Sequence, residues 1–242
     1  MSTGELADDK PRRKDEDMAR VIVFDVNETL LDLTALDPPF ERAFGRAGVR
    51  REWFGQFLQS AFVSTITDAY ADFGTIGRAA LEMTERRNSV ELSTQDRDAI
   101  LGTLRQLPPH PEVPAALERL RNAGLRLAAL TNSTEAVATA QLTNAGLAPL
   151  FEQILSADAA RRLKPAKEAY ETAARALGIA VGEMRLVAAH AWDIAGALRA
   201  GASAAFVARP GMVLDPLVPA PDIVGVDLAD VAEQITDAEL GS

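Results

Sequence analysis

The sequence predicts an α/β fold: a doubly wound parallel sheet with a Rossmann-like core and a helical cap subdomain inserted after the first strand. Beyond residue 20, short apolar runs rich in Val, Ile, Leu and Ala alternate with stretches of helical pattern. Such βα repetition implies a parallel sheet with helices on both faces. The exception is residues 35–109, where no buried strand is evident but several amphipathic helical patterns are.

Each predicted element rests on a local signal. Apolar runs bounded by turn residues predict strands at residues 20–26, 125–131, 151–156, 185–189 and 204–207. Glycines just past the helical patterns, a common helix ending, predict core helices at residues 111–123, 135–144 and 166–177. Amphipathic spacing predicts four helices of the insert at residues 40–47, 52–71, 75–87 and 94–107.

The domain organisation follows from these elements. Residues 1–20 are polar, carry charges of both signs and lack an apolar stretch, which predicts a disordered tail. Residues 21–34 and 110–242 form the predicted α/β core, and residues 35–109 form the predicted cap. Ligands of parallel sheets bind at the carboxyl edge, where this insert begins. Helicity alone does not distinguish a lid from a structural brace.

Composition limits the class of protein. The 242 residues are 48% hydrophobic and 25% charged, enough for one domain with an insert. A formal net charge of -10 argues against a nucleic-acid surface, and no segment approaches the roughly 18 consecutive apolar residues of a membrane span. We therefore expect neither nucleic acid nor membrane as a partner. With no cysteine and two histidines, thiolate chemistry and a His-rich metal site are excluded, and a cytoplasmic location fits.

Polar side chains follow the predicted strands. Asp25 ends the first strand and Thr29 follows four residues later, so a buried strand delivers a candidate nucleophile to the sheet edge. Thr131 and Asn132 follow the second strand, at a helix start that could hold an anion. Lys164, after the third strand, would keep a nearby Asp25 ionised. Taken singly, each has a plainer interpretation as a turn, a cap or a surface residue.

Asp193 follows the fourth predicted strand, and His190 and Trp192 come just before it. Asp193 is either a helix cap or a second carboxylate that pairs with Lys164. His190 has either a role in the site or a packed, hydrogen-bonded role in the core. The other histidine, His110, lies between prolines, which is typical of a hinge or a surface turn.

The ordered set of these motifs resembles the haloacid dehalogenase (HAD) superfamily, and most closely its type II (L-)2-haloacid dehalogenases, which carry a four-helix insert at this place. The resemblance runs from residue 21 to about residue 231 and includes Ala191-Trp192-Asp193 with Gly196 and Gly201 after it. It implies a hydrolase that acts on the carbon-halide bond of small 2-haloalkanoic acids. The implied partner is a small-molecule halogenated carboxylate, and a homodimer remains open.

The resemblance also implies roles for individual residues. Asp25 would attack the halogen-bearing carbon and form an aspartyl ester, which water then hydrolyses. Thr29 would position Asp25, Lys164 would pair with it, and Asp193 would orient Lys164 or the water. We assign His190 to water activation, because an imidazole with a pKa near ~6.5 suits a general base. The residues assigned to substrate binding are Asn27, Thr131, Asn132, Phe54, Leu58, Phe73, Tyr170 and Trp192.

Two features favour chemistry without a cofactor. Phosphatase relatives protonate the leaving group with an aspartate two positions after the nucleophile, and here that residue is Asn27. Those relatives also hold magnesium with paired acids near the fourth motif, whereas the stretch preceding Asp193 has no second carboxylate. No metal ligand is therefore assigned. Mg²⁺ enters only under the alternative of a phosphatase, which Glu28 keeps open.

Three departures, which involve five residues, distinguish this sequence from the pattern of the 2-haloacid dehalogenases. Their cap arginine, which follows a tryptophan and binds the carboxylate and the halide, is Phe54 here. Their serine and asparagine before Ala-Trp-Asp are Ala188 and His190, and their Tyr-Gly before the threonine is Asn27-Glu28. Halide departure without a cation should be slow.

Three interpretations of these departures stay open. Asn27 and His190 could replace the lost groups, with charge supplied by one of the cap arginines Arg42, Arg46, Arg50 and Arg51. Alternatively, the protein is a HAD-type hydrolase of another substrate, or a non-catalytic binding protein on the same fold.

Overall fold

The computed structural model describes residues 21–241, and within them six parallel strands form one sheet flanked by helices. The prediction for residues 1–20 lies outside the described residues. The predicted α/β class is confirmed, as are the five predicted strands, whose bounds shift by one or two residues. The strands are β1 (Val21–Phe24), β2 (Arg126–Thr131), β3 (Gln153–Ser156), β4 (Met184–Ala188), β5 (Ser203–Val207) and β6 (Ile223–Gly225).

The first strand, β1, lies inside the sheet because its residues are apolar on both faces. The strand order is β3-β2-β1-β4-β5-β6, so β2 and β4 flank β1. Alternate side chains of a strand point to opposite faces. Ile22 and Phe24 accordingly pack into one hydrophobic cluster, and Val21 and Val23 into the other. Burial on both faces explains the unbroken apolar run in the sequence.

The described helices include all those predicted. Between β1 and β2 the chain forms α1 (Asp37–Phe44), α2 (Val49–Ile66), α3 (Phe73–Asn88), α4 (Thr94–Thr103) and α5 (Val113–Asn122). Beyond β2 it forms α6 (Glu135–Asn144), α7 (Lys167–Leu177), α8 (Ala191–Ala200) and α9 (Leu228–Leu240). No helix in residues 21–241 is long and apolar enough to cross a membrane.

A close approach fixes the pairing of α2 with α3. A Cβ at Gly77 would lie 2.9 Å from the Phe57 ring, so only glycine allows this contact. The indole Nε1 of Trp53 donates a hydrogen bond of 3.1 Å to the Gly77 carbonyl. The side chains that α2 and α3 turn towards the sheet are thereby held in a defined position.

Two elements, β6 and α9, are absent from the sequence predictions. With only three residues, β6 gives no periodic signal. For α9 the signal existed: Asp227 caps it by accepting from the Asp230 N–H, and Leu228, Val231 and Ile235 are buried on one face.

The strand order positions the polar residues of the sequence motifs. Phe24 is level with Ala129 of β2 and with Val187 of β4. The residues that follow these three strands therefore emerge side by side at the carboxyl edge. Because the chain leaves β1 to build β2 and β3 on one side and later returns to build β4 on the other, a crevice forms at this edge, where ligands of such sheets bind.

Candidate active site

The turn after β1 brings Thr29 back against Asp25. The N–H groups of Leu30 and Leu31 both donate to the Val26 carbonyl, at 2.9 and 3.0 Å, which closes the turn. The Thr29 hydroxyl accepts a hydrogen bond from the Ala189 N–H at 3.0 Å and donates one to Asp25 Oδ2 at 2.7 Å. The one O–H group of Thr29 therefore donates to Asp25, and this hydrogen bond fixes the orientation of the Asp25 carboxylate.

Lys164 joins two buried carboxylates. Its Nζ lies 2.9 Å from Asp25 Oδ1, 2.6 Å from Asp193 Oδ2 and 2.9 Å from the Leu130 carbonyl oxygen, so all three of its N–H donors are used. Burial opposes the charge on Lys164, but attraction by Asp193 and Asp25 outweighs it and raises the pKa of the ammonium. The lysine is therefore a permanent cation.

The same charges set the ionisation of Asp25. Burial works to raise its pKa, but attraction by Lys164 and contact with His190 outweigh burial and hold the pKa well below the usual range. The sequence interpretation expected this effect of a lysine on Asp25. The carboxylate is consequently ionised at neutral pH and free to act as a nucleophile.

Asn132 holds the lysine loop in place. Its Oδ1 accepts from the Lys164 N–H at 2.8 Å, and its Nδ2 donates to the Lys164 carbonyl at 3.3 Å. Asn132 was assigned to substrate binding. Its amide group contacts the backbone of Lys164, and the residue also lines the cavity at Asp25, so it positions the lysine loop, and its role in substrate binding stays a prediction.

Tyr170 lies behind Asp193 and not on the cavity wall. Its side chain is fully buried and its hydroxyl donates to Asp193 Oδ1 at 2.5 Å. A Cβ at Gly196 would lie 2.5 Å from that hydroxyl, so the glycine makes room for it. Tyr170 was also assigned to substrate binding. Its observed contact is with Asp193, so its role in substrate binding stays a prediction. Burial raises the pKa of Asp193, although Lys164 and Tyr170 both act to lower it.

His190 bridges two carboxylates. Its Nε2 lies 2.8 Å from Glu28 Oε2, and its Nδ1 lies 3.4 Å from Asp25 Oδ2. Burial opposes protonation, but contacts with Asp25 and Glu28 outweigh it and raise the pKa of His190 to about 9. An imidazole that already carries this proton cannot accept another from water. The contacts with Asp25 and Glu28 favour the charged imidazolium, whereas the general-base role expected from the sequence needs the neutral ring, and that role stays a prediction.

Ten residues line a small cavity of about 10 Å³ at the carboxylate of Asp25, which we call the reaction cavity. Thr29, Tyr170 and Asp193, also assigned to the site, are not among its lining residues. Two larger cavities of about 480 and 660 Å³ share the Phe54 side chain with it. The lining residues of the reaction cavity are Asp25, Asn27, Phe54, Leu58, Phe73, Thr131, Asn132, Lys164, His190 and Trp192.

None of the four arginines considered from the sequence as a source of positive charge lines the reaction cavity. Arg50 is buried, donates to Asp37 Oδ1 at 2.6 Å and lies 3.7 Å from Glu28 Oε1, but it does not line the reaction cavity. Arg46 pairs with Glu52 at 2.7 Å on the surface. Arg51 lines the 660 Å³ cavity and Arg42 none of the three, so the Nζ of Lys164 and the imidazole of His190 are the cationic groups among the described residues that line the reaction cavity.

The sequence analysis missed Arg209. This buried arginine donates to the Thr29 carbonyl at 2.8 Å and pairs with Glu112, and so braces the turn that carries Thr29. A signal for it existed, because Arg209 follows the end of β5 by two residues and so lies at the same sheet edge as the other motifs. Glu28 was considered only as a possible magnesium ligand, and its contact with His190 was not foreseen.

The donors around the carboxylates leave little room for a cation. Within the described part of the chain, no three His, Cys, Asp or Glu side chains form a group that could hold a metal ion. Lys164 and Tyr170 each occupy one oxygen of Asp193, and His190 occupies Oε2 of Glu28. The magnesium-dependent alternative therefore gains no support from this donor set.

Replacing Tyr170 tests its role behind Asp193. We expect Tyr170→Phe to lower the free energy of unfolding by about 1–3 kcal/mol, because a buried carboxylate loses a hydrogen bond. The variant should also raise the pKa of Asp193, since the hydroxyl acts to lower it. Urea unfolding at several pH values measures both effects. Unchanged stability together with a large rise in KM would return Tyr170 to the substrate-binding residues.

Fold and site together define an α/β protein in which a lysine-paired carboxylate lies at the carboxyl edge of a parallel sheet. A family model for haloacid dehalogenase-like hydrolases matches residues 19–201, and the chain belongs to this family. The (S)-2-haloacid dehalogenase of Pseudomonas sp. (strain YL) is 29% identical over 90% of this chain and 94% of its own length. The family predicted from the sequence motifs is confirmed.

Solved structures agree with this comparison. The L-2-haloacid dehalogenase from Xanthobacter autotrophicus superimposes with a TM-score of 0.84 at 28% identity, covering 90% of this chain and 98% of that one. A structure of the Xanthobacter autotrophicus enzyme with chloropropionic acid covalently bound gives a TM-score of 0.82 at 26% identity, covering the same shares, 90% and 98%. A relative of this chain is thus known in a covalent complex with a haloacid.

Proposed function

We propose that this protein hydrolyses the carbon-halogen bond of small 2-haloalkanoic acids through an ester on Asp25 and without a cofactor. The observation that carries the proposal is the state of Asp25, an ionised carboxylate only 5% exposed and oriented by Thr29 and Lys164. It faces a cavity walled by Phe54, Leu58 and other apolar side chains. The covalent haloacid complex of the relative supports the same choice of chemistry.

In the first step, a carboxylate oxygen of Asp25 attacks the halogen-bearing carbon. The new C–O bond forms as the carbon-halogen bond breaks, and the halide leaves with the bonding electrons. Asp25 becomes a neutral ester, so Lys164 loses one of its two charged partners and remains paired with Asp193 at 2.6 Å. A covalent intermediate divides one difficult displacement into two easier steps.

In the second step, water attacks the carboxyl carbon of the Asp25 ester. With His190 protonated, we assign the orientation and deprotonation of this water to the Lys164–Asp193 pair, because Lys164 lines the reaction cavity and contacts both carboxylates. As the water attacks, Lys164 takes one of its protons and passes another to the carboxylate of Asp193, 2.6 Å away, so Lys164 remains a cation. The ester then collapses: the oxygen bound to the substrate carbon takes back the proton held by Asp193, through Lys164, and leaves as the hydroxyl group of the 2-hydroxy acid. The other proton of the water is released from Asp25 to solvent. Asp25 is regenerated with one oxygen from water.

We propose that residues 35–109 form a cap that opens for the substrate. The reaction cavity of about 10 Å³ is close to the size of one water molecule. A haloacid must therefore displace wall side chains, and three of them, Phe54, Leu58 and Phe73, are carried by α2 and α3 of the insert. Movement of these helices away from the sheet would admit the substrate.

A panel of haloacids tests the activity. We expect halide release from chloroacetate and bromoacetate, and release from 2-chloropropionate about 10- to 200-fold slower, because an added methyl group must fit the same tight wall. Fluoroacetate extends the panel to the least reactive carbon-halogen bond. Adding EDTA or magnesium should leave the rates unchanged. Halide release that requires magnesium, or phosphate release from a phosphomonoester without any halide release, would contradict the proposal.

A further inference from the structure

We propose that Glu28 and His190 form a charged pair that supplies the positive charge for the departing halide. In this proposal His190 donates its Nδ1–H to the halide, and Glu28 keeps the ring charged and oriented. The inference rests on the proposed function and adds a leaving-group site to it. Related 2-haloacid dehalogenases use the cap arginine that is Phe54 in this chain.

Two buried ring nitrogens in residues that line the reaction cavity make no hydrogen bond among the described residues. His190 is 6% exposed, and its Nδ1 makes no hydrogen bond with any residue in 21–241. The buried indole Nε1 of Trp192 likewise has no hydrogen-bond partner among those residues. The two rings are stacked with their centroids 5.0 Å apart, and both line the reaction cavity with Asp25. Buried donors of this kind are costly to leave unpaired, which favours an anion as the ligand.

The position of the ring between two carboxylates argues for a charged imidazole. A neutral ring protonated on Nε2 would donate to Glu28 but turn the lone pair of Nδ1 towards Asp25 Oδ2, 3.4 Å away. The other tautomer would turn a lone pair towards Glu28 Oε2 at 2.8 Å. Only the doubly protonated ring presents N–H groups to both carboxylates.

Four other titratable side chains lie around His190 and contact either the carboxylates of Asp25 and Glu28 or the backbone beside them. Lys164 contacts Asp25 at 2.9 Å, and Arg50 lies 3.7 Å from Glu28. His110 contacts the Glu28 carbonyl at 3.2 Å, and Arg209 donates to the Thr29 carbonyl. The positive charges of Lys164, Arg50 and Arg209 weaken the hold of the carboxylates on the His190 proton, whereas burial lowers the pKa of His110 and favours its neutral form. With them in place, burial and the two carboxylates still leave the pKa of His190 at about 9.

His190, and not Lys164, is the cation that can donate a hydrogen bond to the departing halide. All three N–H groups of Lys164 are taken by Asp25, Asp193 and the Leu130 carbonyl. The Nδ1–H of His190 is the cationic donor in the lining of the reaction cavity that makes no hydrogen bond among the described residues. Its nearest acceptor, Asp25 Oδ2 at 3.4 Å, loses its negative charge as the ester forms, so the N–H can then turn to the halide.

The backbone of Glu28 supports the pairing. Its φ angle is +64°, in the left-handed region that favours glycine and disfavours other residues. This chain nevertheless carries glutamate here, in a strained conformation. Strain of this kind persists where a functional contact compensates for it, and the contact observed here is with His190.

The chemical step then balances without a proton transfer. As Asp25 attacks, the electron pair of the carbon-halogen bond passes to the halide, which accepts a hydrogen bond from His190 Nδ1. His190 keeps its proton throughout. His190 and Trp192 also line the adjoining 660 Å³ cavity, into which the halide would leave. The charged residues that line that cavity are Arg50, Arg51, Arg209, Glu28 and Asp32.

Halide binding tests the site without turnover. Sodium bromide should quench the fluorescence of Trp192 in a saturable way, and the affinity should fall as the pH rises through about 9. The other tryptophan, Trp53, is fully buried against α3. A Trp53→Phe variant therefore shows that the change in fluorescence comes from Trp192. In His190→Gln the saturable binding should be lost. Equal bromide affinity in a folded His190→Gln variant would overturn the proposal.

Single-turnover kinetics can show whether replacing His190 slows formation of the Asp25 ester or its hydrolysis. In His190→Gln we expect ester formation to slow by about 10²- to 10³-fold, most for fluoroacetate and least for bromoacetate, because fluoride depends most on a hydrogen-bond donor. Hydrolysis of the ester should stay unchanged, so no adduct accumulates in mass spectra. An accumulated adduct would make His190 the base after all. An equal rise in KM for every halide would make it a carboxylate ligand.

Glu28→Gln provides the matched variant, since it keeps the shape and removes the charge that holds the proton. The basic limb of the pH profile of ester formation should move from about 9 towards the ordinary pKa of histidine. An unmoved basic limb would contradict the pairing. Should wild-type protein bind bromide through His190 but release no halide from any haloacid, the proposed function fails and the anion site stands.

Discussion

Asp25→Asn is expected to abolish dehalogenation, with a loss on the order of 10⁴-fold or more. The amide keeps the shape of the carboxylate and can still accept from Lys164, which contacts Asp25 Oδ1 at 2.9 Å. An amide cannot attack the halogen-bearing carbon or form the ester. The measurement is halide release from chloroacetate by purified variant, with folding checked by circular dichroism. As a matched control, Asp237→Asn on the exposed side of α9 should retain full activity.

Labelled water gives an independent check on the nucleophile. In a single turnover in H₂¹⁸O, the label should enter Asp25 first and reach the hydroxy acid only in later turnovers. This order follows because water attacks the carboxyl carbon of the ester and not the substrate carbon. Label found directly in the first product, or substantial halide release by Asp25→Asn, would remove Asp25 from the mechanism.

The sequence predicted the sheet and most of the site because both depend on local patterns. Each of the five foreseen strands is a short apolar run, and polar residues directly after β1, β2 and β4 must meet when those strands are neighbours. The contact of Lys164 with Asp25 and Asp193 was expected from the resemblance, and the structure has it at 2.9 and 2.6 Å. Asp25 and Lys164 are 139 positions apart, so no local pattern alone could have paired them.

What the sequence could not predict are contacts between side chains on different motifs. His190 was interpreted as an isolated imidazole with an ordinary pKa, because the carboxylate of Glu28 that faces it lies 162 positions earlier. A signal was present, since Glu28 and His190 both depart from the pattern of the related dehalogenases. An acidic and a basic residue at the ends of neighbouring strands, β1 and β4, can pair once those strands lie side by side.

Tyr170 and Asn132 illustrate a second limit. The motifs predicted that both residues lie at the site, but they did not predict whether each faces the cavity or contacts another site residue from behind. The tyrosine, on α7, donates to Asp193 from the side away from the cavity, and the amide of Asn132 clamps the backbone of Lys164. Such roles depend on the packing of α7 and α8, where Gly196 permits the close approach.

Lys164→Met should cost both stability and activity. The substitution keeps much of the side-chain volume but leaves Asp25 and Asp193 buried together without a cation. We expect the free energy of unfolding at pH 7 to fall by about 3–5 kcal/mol, the usual cost of breaking a buried ion pair. Turnover should fall on the order of 10³-fold, because the lysine orients Asp25 and acts in ester hydrolysis. Lys167→Met, on an exposed lysine three residues away, should change stability by less than about 0.5 kcal/mol.

The pH dependence of stability and activity in Lys164→Met distinguishes the loss of the cation between Asp25 and Asp193 from a simple packing defect. In wild-type protein the pKa of Asp25 is depressed, so its contribution to stability is present above the unfolded pKa and is lost as the pH falls through the folded one. Without Lys164, repulsion and burial raise the pKa of one of the two carboxyl groups. That group is then most stabilising when protonated, so the variant should become less stable as the pH rises through the raised pKa, and the acid limb of its activity should move upward.

A double variant completes the test of Lys164. Adding Asp193→Asn to Lys164→Met removes one of the two unpaired charges and should restore part of the lost stability, without restoring activity. Urea unfolding of the four proteins of the cycle gives the coupling energy, which should be about 1–3 kcal/mol for groups in direct contact. Additive effects with a coupling near zero, or a pH profile of Lys164→Met that matches wild type, would show that the lysine does not hold the two carboxylates together.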